Sequence, residues 1–336
     1  MRFPTLISAA AVALAGLAAV PAAAADRTLT VYTYDAFTSD WGPGPAIKEA
    51  FEAECGCRLD YVALDSSIGV LSRLRLEGEN NKADVVLGLD LNILAEAKAS
   101  GLFAEHAIAP QGLALPVDWR DETFLPFDYG YFAFVYDTEA LANPPQSLKE
   151  LVEAPDDLKI ILQDPRSSTP GLGLLLWVRA VYGDEAPAAW ARLARKTVTT
   201  TKGWSEAYGL FLEGEAPMVL SYTTSPAYHM IAEDVQRYQA AGFSEGHYMQ
   251  VEVAAMTKSS GEPELARQFL RFMLSPGFQE VIPTGQWMYP VVDLPEGLPP
   301  AYDKLVDPAK PLLFPAEEVA AKRKAWVEEW LQAVSR

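Results

Sequence analysis

The sequence predicts an α/β fold in which two lobes face each other across a cleft. Strand-like segments alternate with segments of helical periodicity along most of the chain, the order expected of βαβ units with a largely parallel sheet. A long aromatic segment interrupts this order near the middle, and a second alternating region follows it. Half of the 336 residues are hydrophobic, so the chain can bury a large core, and its length favours two domains.

The first 25 residues have the features of a secretory signal. Arg2 provides the positive start, residues 6–20 a short apolar segment, and Ala23-Ala24-Ala25 a small-residue cleavage site. Cleavage after Ala25 leaves 311 of the 336 residues and, because Arg2 is lost, moves the formal charge from −18 to −19. We expect a periplasmic protein without direct membrane insertion, since no later run approaches the ~20 apolar residues of a membrane span.

The first half of the expected mature chain contains three strand–helix pairs. The first strand alternates branched and aromatic residues, and the helix beginning at Ser67 carries apolar residues at helical spacing. The predicted strands are residues 29–34, 59–64 and 83–87, and the predicted helices are residues 45–54, 67–77 and 91–99.

The middle and the end of the chain repeat this pattern after the aromatic strand, residues 124–136 (FLPFDYGYFAFVY). Strands are expected near Ile160, Val198 and Met218, and an extended run at 248–256. The predicted helices are residues 172–181, 186–195, 205–212, 226–234, 263–274 and 316–334.

Two α/β regions joined by two extended segments predict a bilobal protein. We assign residues 26–125 and 257–336 to lobe 1, residues 131–248 to lobe 2, and residues 126–130 and 249–256 to the hinge crossings. Ligands of open α/β sheets bind at the carboxyl ends of strands, so the cleft between the lobes is the expected site. The alternative is a single α/β enzyme domain with a helical tail.

The composition excludes several classes of function. The 45 acidic residues against 27 basic ones argue against nucleic acids and anionic membranes, whose affinity for proteins comes from Lys and Arg. The three histidines are scattered without the spacing of a zinc site, so no metal site is expected. No G-x-S-x-G elbow, Walker loop or H-E-x-x-H motif is present.

Cys55 and Cys57, in C-G-C spacing, are the only cysteines. In an oxidising periplasm they can pair, although a bridge across one residue is tight. The alternative is a redox or nucleophilic thiol. We favour a small structural disulfide, because no helix N-terminus or cluster of cations lies near them in the sequence to activate a thiolate.

The segment 164–173 (DPRSSTPGLG) leads directly into an apolar helix. Ser168 lies just before Pro170, a residue favoured in the first turn of a helix, and Gly171 and Gly173 would let the backbone approach a ligand. Such a corner binds phosphate, carboxylate or sulfate; the alternative is a simple helix cap. Ser66 and Ser67 begin an earlier helix and carry the same two interpretations.

Aromatic residues are concentrated where the predicted strands end, in loops rich in Gly, Pro and Thr. Packing in the core or at its rim explains any one of them. Several together indicate a flat or cationic ligand held by stacking and cation–π contacts. The candidates are Tyr34, Trp204, Tyr222, Tyr228 and Trp287.

Long stretches of the chain from residue 29 to 336 resemble the thiamine-binding periplasmic proteins of thiamine ABC transporters. The motifs that carry the resemblance, in order, are VYTYDAFTSDWGPG, KADVVLGLD, PFDYGYFAFVYD, NPPQSLKELV, QDPRSSTPGLGLLLW, TKGWSEAYGLFLEGE, LSYTTSPAYH, FSEGHYMQVEVAAMT and PTGQWMYPV. The resemblance implies a type II periplasmic binding protein that binds thiamine, thiamine monophosphate and thiamine diphosphate. It also implies a monomer that docks on an inner-membrane permease, uses no cofactor and does no catalysis.

The resemblance also implies roles for the candidate residues. Tyr34 lies at the ligand, Tyr222 and Tyr228 flank the pyrimidine, and Trp204 and Trp287 close around the rings and the phosphate end. Ser168 falls on the phosphate-contacting serine of the family. Relatives carry an acidic pair followed by Gly where this chain has Asp65-Ser66-Ser67, so Ser66 and Ser67 would replace the second phosphate contact with hydroxyl and backbone donors.

Three other functions remain open on the sequence. Thiaminase I resembles this fold but uses a cysteine nucleophile, which the C-G-C pair fits poorly. Ferric-ion binders use adjacent tyrosines, and no adjacent pair is present. Polyamine and sulfate binders would need acids around a linear cation, or anion donors without stacking aromatics.

Overall fold

The computed structural model describes residues 27–308 and 310–335. The predicted signal segment 1–25, with its cleavage point after Ala25, lies outside the described residues. The elements before the aromatic strand are β1 (Thr28–Tyr34), α1 (Asp35–Thr38), α2 (Gly44–Cys55), β2 (Arg58–Leu64), α3 (Ser67–Glu77), β3 (Val85–Asp90) and α4 (Leu94–Ala99).

The aromatic segment forms β4 (Leu125–Asp137), and a second series of alternating elements follows it. This series comprises α5 (Leu148–Glu153), β5 (Ile160–Gln163), α6 (Thr169–Tyr182), α7 (Ala186–Lys196), β6 (Thr197–Thr201), α8 (Trp204–Leu212), β7 (Met218–Tyr222), α9 (Ser225–Ala232) and β8 (Tyr238–Ala240). The chain then returns through β9 (His247–Met256), α10 (Pro263–Phe272), α11 (Pro276–Gln279), β10 (Tyr289–Pro290), β11 (Pro311–Leu312) and α12 (Ala316–Val334).

The strands lie in the order β2-β1-β3-β9-β4-β7-β5-β6, with β10 and β8 beside β4 and β11 beside β9. The pairs β1–β2, β1–β3, β5–β6 and β5–β7 are parallel. The pairs that involve β4, and the β3–β9 pair, are antiparallel. The sheet is therefore mixed, with one parallel region on each side of the antiparallel strands β9 and β4.

Two long strands carry the chain between the lobes. Residues 125–131 of β4 pair with β9, whereas residues 132–136 pair with β7. The partner of β4 thus changes between Tyr131 and Phe132, immediately after the predicted crossing 126–130. The other predicted crossing, 249–256, lies within β9, every residue of which is buried.

The end of β3 differs from the prediction. The strand runs to Asp90 rather than Leu87, with an irregular register around Gly88, whose φ is +92°. The Asp90 side chain then accepts a hydrogen bond of 2.6 Å from the backbone N–H of Asn92. This cap closes a short 3-10 turn at Leu91–Ile93, so α4 begins at Leu94 instead of residue 91.

The C-terminal helix, part of the predicted lobe 1, packs on elements of both predicted lobes. Arg323 on α12 pairs with Glu96 on α4 at 2.9 Å, while Trp330 meets Trp190 on α7 edge to face at 6.4 Å. A helix of 19 residues is about 28 Å long, so it can reach from α4 in lobe 1 to α7 in lobe 2. Its apolar stripe, with Trp326 and Trp330 buried, packs on α4 and α7 together.

Within residues 27–308 and 310–335, no helix combines the length and apolar character needed to cross a membrane.

Gly173, in the first turns of α6, makes room for the ring of Phe132 on β4. A Cβ built on Gly173 would lie 2.0 Å from Phe132 Cε2. We expect Gly173→Ala to lower the free energy of unfolding by about 1–3 kcal/mol through overpacking, measured by urea denaturation.

Gly209 in α8 is the matched control, because nothing lies within 4 Å of a Cβ built there. Gly209→Ala should be neutral or should stabilise the protein by up to about 1 kcal/mol through helix propensity. Equal stability of the two variants would contradict the packing described for α6.

Candidate functional site

A cavity of about 320 Å³ opens between the lobes where several strands end. Tyr34 ends β1 and Tyr222 ends β7, as expected of an open α/β sheet. All eight predicted ligand-binding residues line this one cavity: Tyr34, Ser66, Ser67, Ser168, Trp204, Tyr222, Tyr228 and Trp287.

One wall of the cavity is a stack of aromatic rings. Trp204 lies parallel to Tyr208 with ring centroids 4.9 Å apart, and its other neighbour is Trp41 of lobe 1 at 6.1 Å. The Trp204 indole N–H donates to Ser221 Oγ at 2.8 Å, which fixes the ring. The wall thus offers ordered ring faces contributed by both lobes.

A second aromatic pair in the lining is formed by Tyr228 on α9 and Trp287. Their rings are nearly perpendicular, at 84°, with centroids 5.2 Å apart. Trp287 has a φ of +60°, which is uncommon for a bulky residue, and ends a π-helical turn at Ile282–Gln286. Its indole N–H is buried without a hydrogen-bond partner among the described residues, so it is available to an acceptor in the cavity.

The floor of the cavity is polar. Tyr34 donates to Glu252 Oε2 at 2.6 Å, and Tyr222 donates to Gln250 Oε1 at 2.9 Å. Burial raises the pKa of both tyrosines well above the usual value. Both hydroxyls are therefore protonated near neutral pH and act as fixed donors.

Serine residues from the two lobes meet at one end of the cavity. Ser66 caps α3 by accepting from the Gly69 N–H at 3.1 Å, and Ser168 caps α6 by accepting from the Gly171 N–H at 3.4 Å. The Ser66 hydroxyl also donates to the Ser167 carbonyl across the cleft. The cap interpretation therefore holds for Ser66 and Ser168, and both caps also line the cavity.

The two glycines after Pro170 serve packing rather than a ligand. A Cβ on Gly171 would lie 2.5 Å from the Gln163 carbonyl oxygen, and one on Gly173 would meet Phe132. The expectation that they admit a ligand to the backbone is wrong, because the Gln163 carbonyl and the Phe132 ring fill the space beside them.

The charge around the cavity is negative. Asp35, Asp65 and Glu252 line it, and no Lys, Arg or His is among its described lining residues. Lys202 stands at the rim, where it pairs with Asp65 across the cleft. A cation in the cavity would meet no competing positive side chain on its walls.

Sequence reasoning missed several lining residues, chiefly Trp41, Tyr208, Gln250, Glu252 and Gln286. Trp41 follows the Tyr34 loop and had the same signal as the chosen aromatics. Gln250 and Glu252 alternate within an otherwise apolar buried strand, and buried polar residues of that kind point to a site. Gln286 had no comparable signal.

The cysteine pair and an ion pair of the 164–173 segment lie outside the cavity lining. Cys55 and Cys57 form a disulfide with Cα atoms 5.2 Å apart, at the junction of α2 and β2 and away from the cavity lining. Asp164 and Arg166 form an ion pair, with Arg166 Nε donating to Asp164 Oδ1 at 2.9 Å. Across residues 27–308 and 310–335, no three His, Cys, Asp or Glu side chains are grouped as metal ligands.

Comparisons with known proteins agree with this architecture. Residues 41–280 match the family model of the bacterial extracellular solute-binding protein. A relative from Escherichia coli (strain K12), named thiamine-binding periplasmic protein, is 62% identical over 312 residues, which covers 93% of this chain and 95% of the relative.

Solved structures extend the comparison. A structure titled periplasmic thiamin binding protein superposes with a TM-score of 0.90 at 62% identity, covering 92% of this chain and 96% of that chain. A ferric binding protein from Campylobacter jejuni superposes with a TM-score of 0.73 at 20% identity, covering 91% and 99%. At that low identity the second likeness is one of fold alone.

His229 lies behind the aromatic wall. Its Nε2 is hydrogen-bonded to the Tyr208 hydroxyl at 2.8 Å, and its Nδ1 is hydrogen-bonded to the Glu233 carboxylate at 2.6 Å. Burial lowers the pKa of His229 below 6.5, although Glu233 opposes this. As pH falls below about 6.5, the unfolded chain takes up this proton before the folded one, so His229 makes the fold less stable in acid.

We therefore expect an NMR titration to give His229 a midpoint below 6.5. The matched variant Glu233→Gln removes the opposing carboxylate and should lower that midpoint further. A wild-type midpoint at or above 6.5 would contradict the buried, neutral imidazole described here.

Proposed function

The chain belongs to the thiamine-binding periplasmic proteins within the bacterial extracellular solute-binding family and has their type II periplasmic-binding-protein fold. From that premise we propose that it is a periplasmic monomer that captures thiamine, thiamine monophosphate and thiamine diphosphate between its lobes. It delivers them to an inner-membrane ABC permease without a cofactor and without altering them. The observation that carries this proposal is a cavity lined by aromatic rings, with no basic side chain among its described lining residues, that ends at two serine-capped helices.

The aromatic walls suit the rings of thiamine. A thiazolium is a permanent cation, and Trp and Tyr faces attract cations by about 0.5–2 kcal/mol each when desolvated. Trp204 and Tyr228 both line the cavity, so each can offer a ring to the aromatic parts of the ligand. The volume of about 320 Å³ is at the lower end of the range for small-molecule sites, which fits a vitamin-sized ligand.

The serine end suits the phosphates. The positive ends of the dipoles of α3 and α6 meet there, and Ser67 and Thr169 open these helices beside the caps Ser66 and Ser168. Hydroxyls and helix N-termini bind phosphate without a charged side chain. Unphosphorylated thiamine would leave this end to water, which explains how one cavity can take all three forms.

Capture proceeds through closure of the lobes. The cavity draws Trp41 and Ser66 from one lobe and Trp204 and Ser168 from the other. A ligand that touches both sets binds the closed form better than the open form, and only such a difference in affinity shifts the equilibrium. The Asp65–Lys202 pair at the rim spans the same gap and adds a contact specific to the closed form.

Two rival functions fit the cavity less well. A thiaminase-like reaction needs a cysteine nucleophile, and both cysteines are in a disulfide away from the cavity lining. Ferric binding needs tyrosinates, but burial raises the pKa of Tyr34 and of Tyr222, which opposes their ionisation.

Ser168→Ala should separate the phosphate end from the ring site. We expect isothermal titration of refolded, ligand-free protein to show one-to-one binding of all three forms by the wild type. The variant should lose about tenfold in affinity for the mono- and diphosphate, since a hydrogen bond to a charged group contributes about 1.5–3 kcal/mol, and should bind thiamine nearly as before.

Ser147→Ala is the matched control, because Ser147 caps α5 by accepting from the Glu150 N–H at 2.9 Å and lies away from the cavity. Both variants lose a cap and about 1 kcal/mol of stability, but only Ser168→Ala should change ligand affinity. Absence of binding of any form by the wild type would refute the proposed function.

Thiamine incubated with the protein should be recovered intact. A mass spectrum that showed cleavage of thiamine would replace the proposed binding function with an enzymatic one, and a tyrosinate–iron colour on adding ferric ion would favour the metal-binding alternative.

A further inference from the structure

Three acidic residues lie side by side on adjacent strands beneath the cavity. In the sheet register Asp90 of β3 faces Glu252 of β9, and Glu252 faces Asp128 of β4. Asp90 and Asp128 are fully buried, and Glu252 is 4% exposed. Only Glu252 of the three lines the cavity, so it is the member that a ligand can reach.

Glu252 is supplied with donors on both oxygens. Oε1 accepts from the Gln250 amide at 2.9 Å, and Oε2 accepts from the Tyr34 hydroxyl at 2.6 Å and from the Gln286 amide at 3.1 Å. These contacts suit an ionised carboxylate, which can accept several hydrogen bonds. Glu252 is thus built to carry negative charge at the floor of the cavity.

Asp128, in contrast to Glu252, lacks hydrogen-bond donors among the described residues. Neither of its oxygens accepts a hydrogen bond within the part of the chain that the structure describes. The Gln286 amide is close to it but donates to Tyr34 and Glu252. In the sheet register Asp128 lies opposite Glu252, and each carboxyl group affects the pKa of the other. Two buried carboxyl groups placed opposite each other are compatible with one shared proton, since both cannot carry charge there without repulsion.

Among the described residues, the groups that most affect the pKa of Asp128 and of Glu252 include no cation. Tyr34 of β1, Asp90 of β3 and Tyr222 of β7 face it from the neighbouring strands, and Tyr302 faces Asp128 from the turn at Pro300–Lys304. Burial raises the pKa of Asp90, the third acid of the row, and the positive charge of Arg323 on α12 opposes this rise. Burial is the largest influence on both acids and raises the pKa of Asp128 and of Glu252.

We propose that Asp128 and Glu252 hold one proton between them, and that a permanently cationic ring seated above Glu252 releases this proton to solvent. Glu252 is then the residue that selects a cationic ligand, and Asp128 is a positioning residue that stores the proton. This inference rests on the proposed function, because the thiazolium of thiamine supplies the cation.

The physical reason is electrostatic linkage. A positive charge within about 4–6 Å of a carboxyl group favours its ionised form by 1–3 pKa units. Ligand binding and proton loss therefore favour each other, and the coupling is reciprocal. Affinity for thiamine should rise with pH through the neutral range, and a ligand without positive charge should show no such rise.

The first test uses the wild-type protein. Thiamine is titrated calorimetrically near pH 7 in buffers that differ in ionisation enthalpy, so that the dependence of heat on buffer counts the protons released. We expect between about half a proton and one proton per thiamine. Binding with no net change in protons would overturn this inference and leave the proposed function intact; no binding would overturn both.

Two variants assign the proton. Asp128→Asn offers Glu252 an amide donor in place of the shared proton, so thiamine should bind without proton release and with affinity independent of pH. Glu252→Gln removes the negative charge, so it should abolish release and weaken thiamine binding about tenfold or more. Proton release by Asp128→Asn equal to that of the wild type would overturn the inference.

Glu105→Gln is the matched control, since Glu105 is an exposed acid outside the cavity. It should keep both the affinity and the proton release of the wild type. If the buried variants fail to fold, the wild-type proton count still decides the question.

Discussion

The whole site depends on two strands that belong to both halves of the molecule. β4 pairs with β9 over its first seven residues and with β7 over the next five, and β9 also pairs with β3. Because the two lobes share these buried strands, backbone hydrogen bonds run without interruption from one lobe to the other. The cavity opens beside the point where the pairing changes, and residues of β9 form part of its floor.

The carboxyl groups in and beneath the cavity floor are buried, and burial disfavours their charged form. A buried acid is costly unless it is neutral, paired or well supplied with donors. Three acids lie in a row across β3, β9 and β4. Of these, Glu252 accepts hydrogen bonds from three side chains. The cavity walls above this floor carry rings and hydroxyls rather than cations. In our proposal a positively charged ligand offsets the cost of burying these acids, and selectivity for cations then depends on the register of the sheet.

The element pattern was predictable because local periodicity and burial agree. The aromatic strand, the helix after Pro170 and the C-terminal helix begin and end within three residues of their predicted bounds. The errors are local contacts that compete with periodicity. Asp90 accepts from the Asn92 N–H and turns the start of α4 into a 3-10 turn. The packing of α12 on both lobes depends on Arg323 and Trp330 finding partners far away in the chain.

By itself the sequence determined the strand and helix order, the acidic and aromatic character, and the serine-capped corner, because each follows from neighbouring residues. The eight candidate residues were found from their loop positions and from family motifs, and they line one cavity. Only the tertiary structure decided that Asp90, Glu252 and Asp128 share a row and that Ser66 reaches Ser167 across the cleft. Those relations depend on strand register and lobe closure, which bring together residues separated by tens to more than a hundred positions and leave no local pattern in the chain.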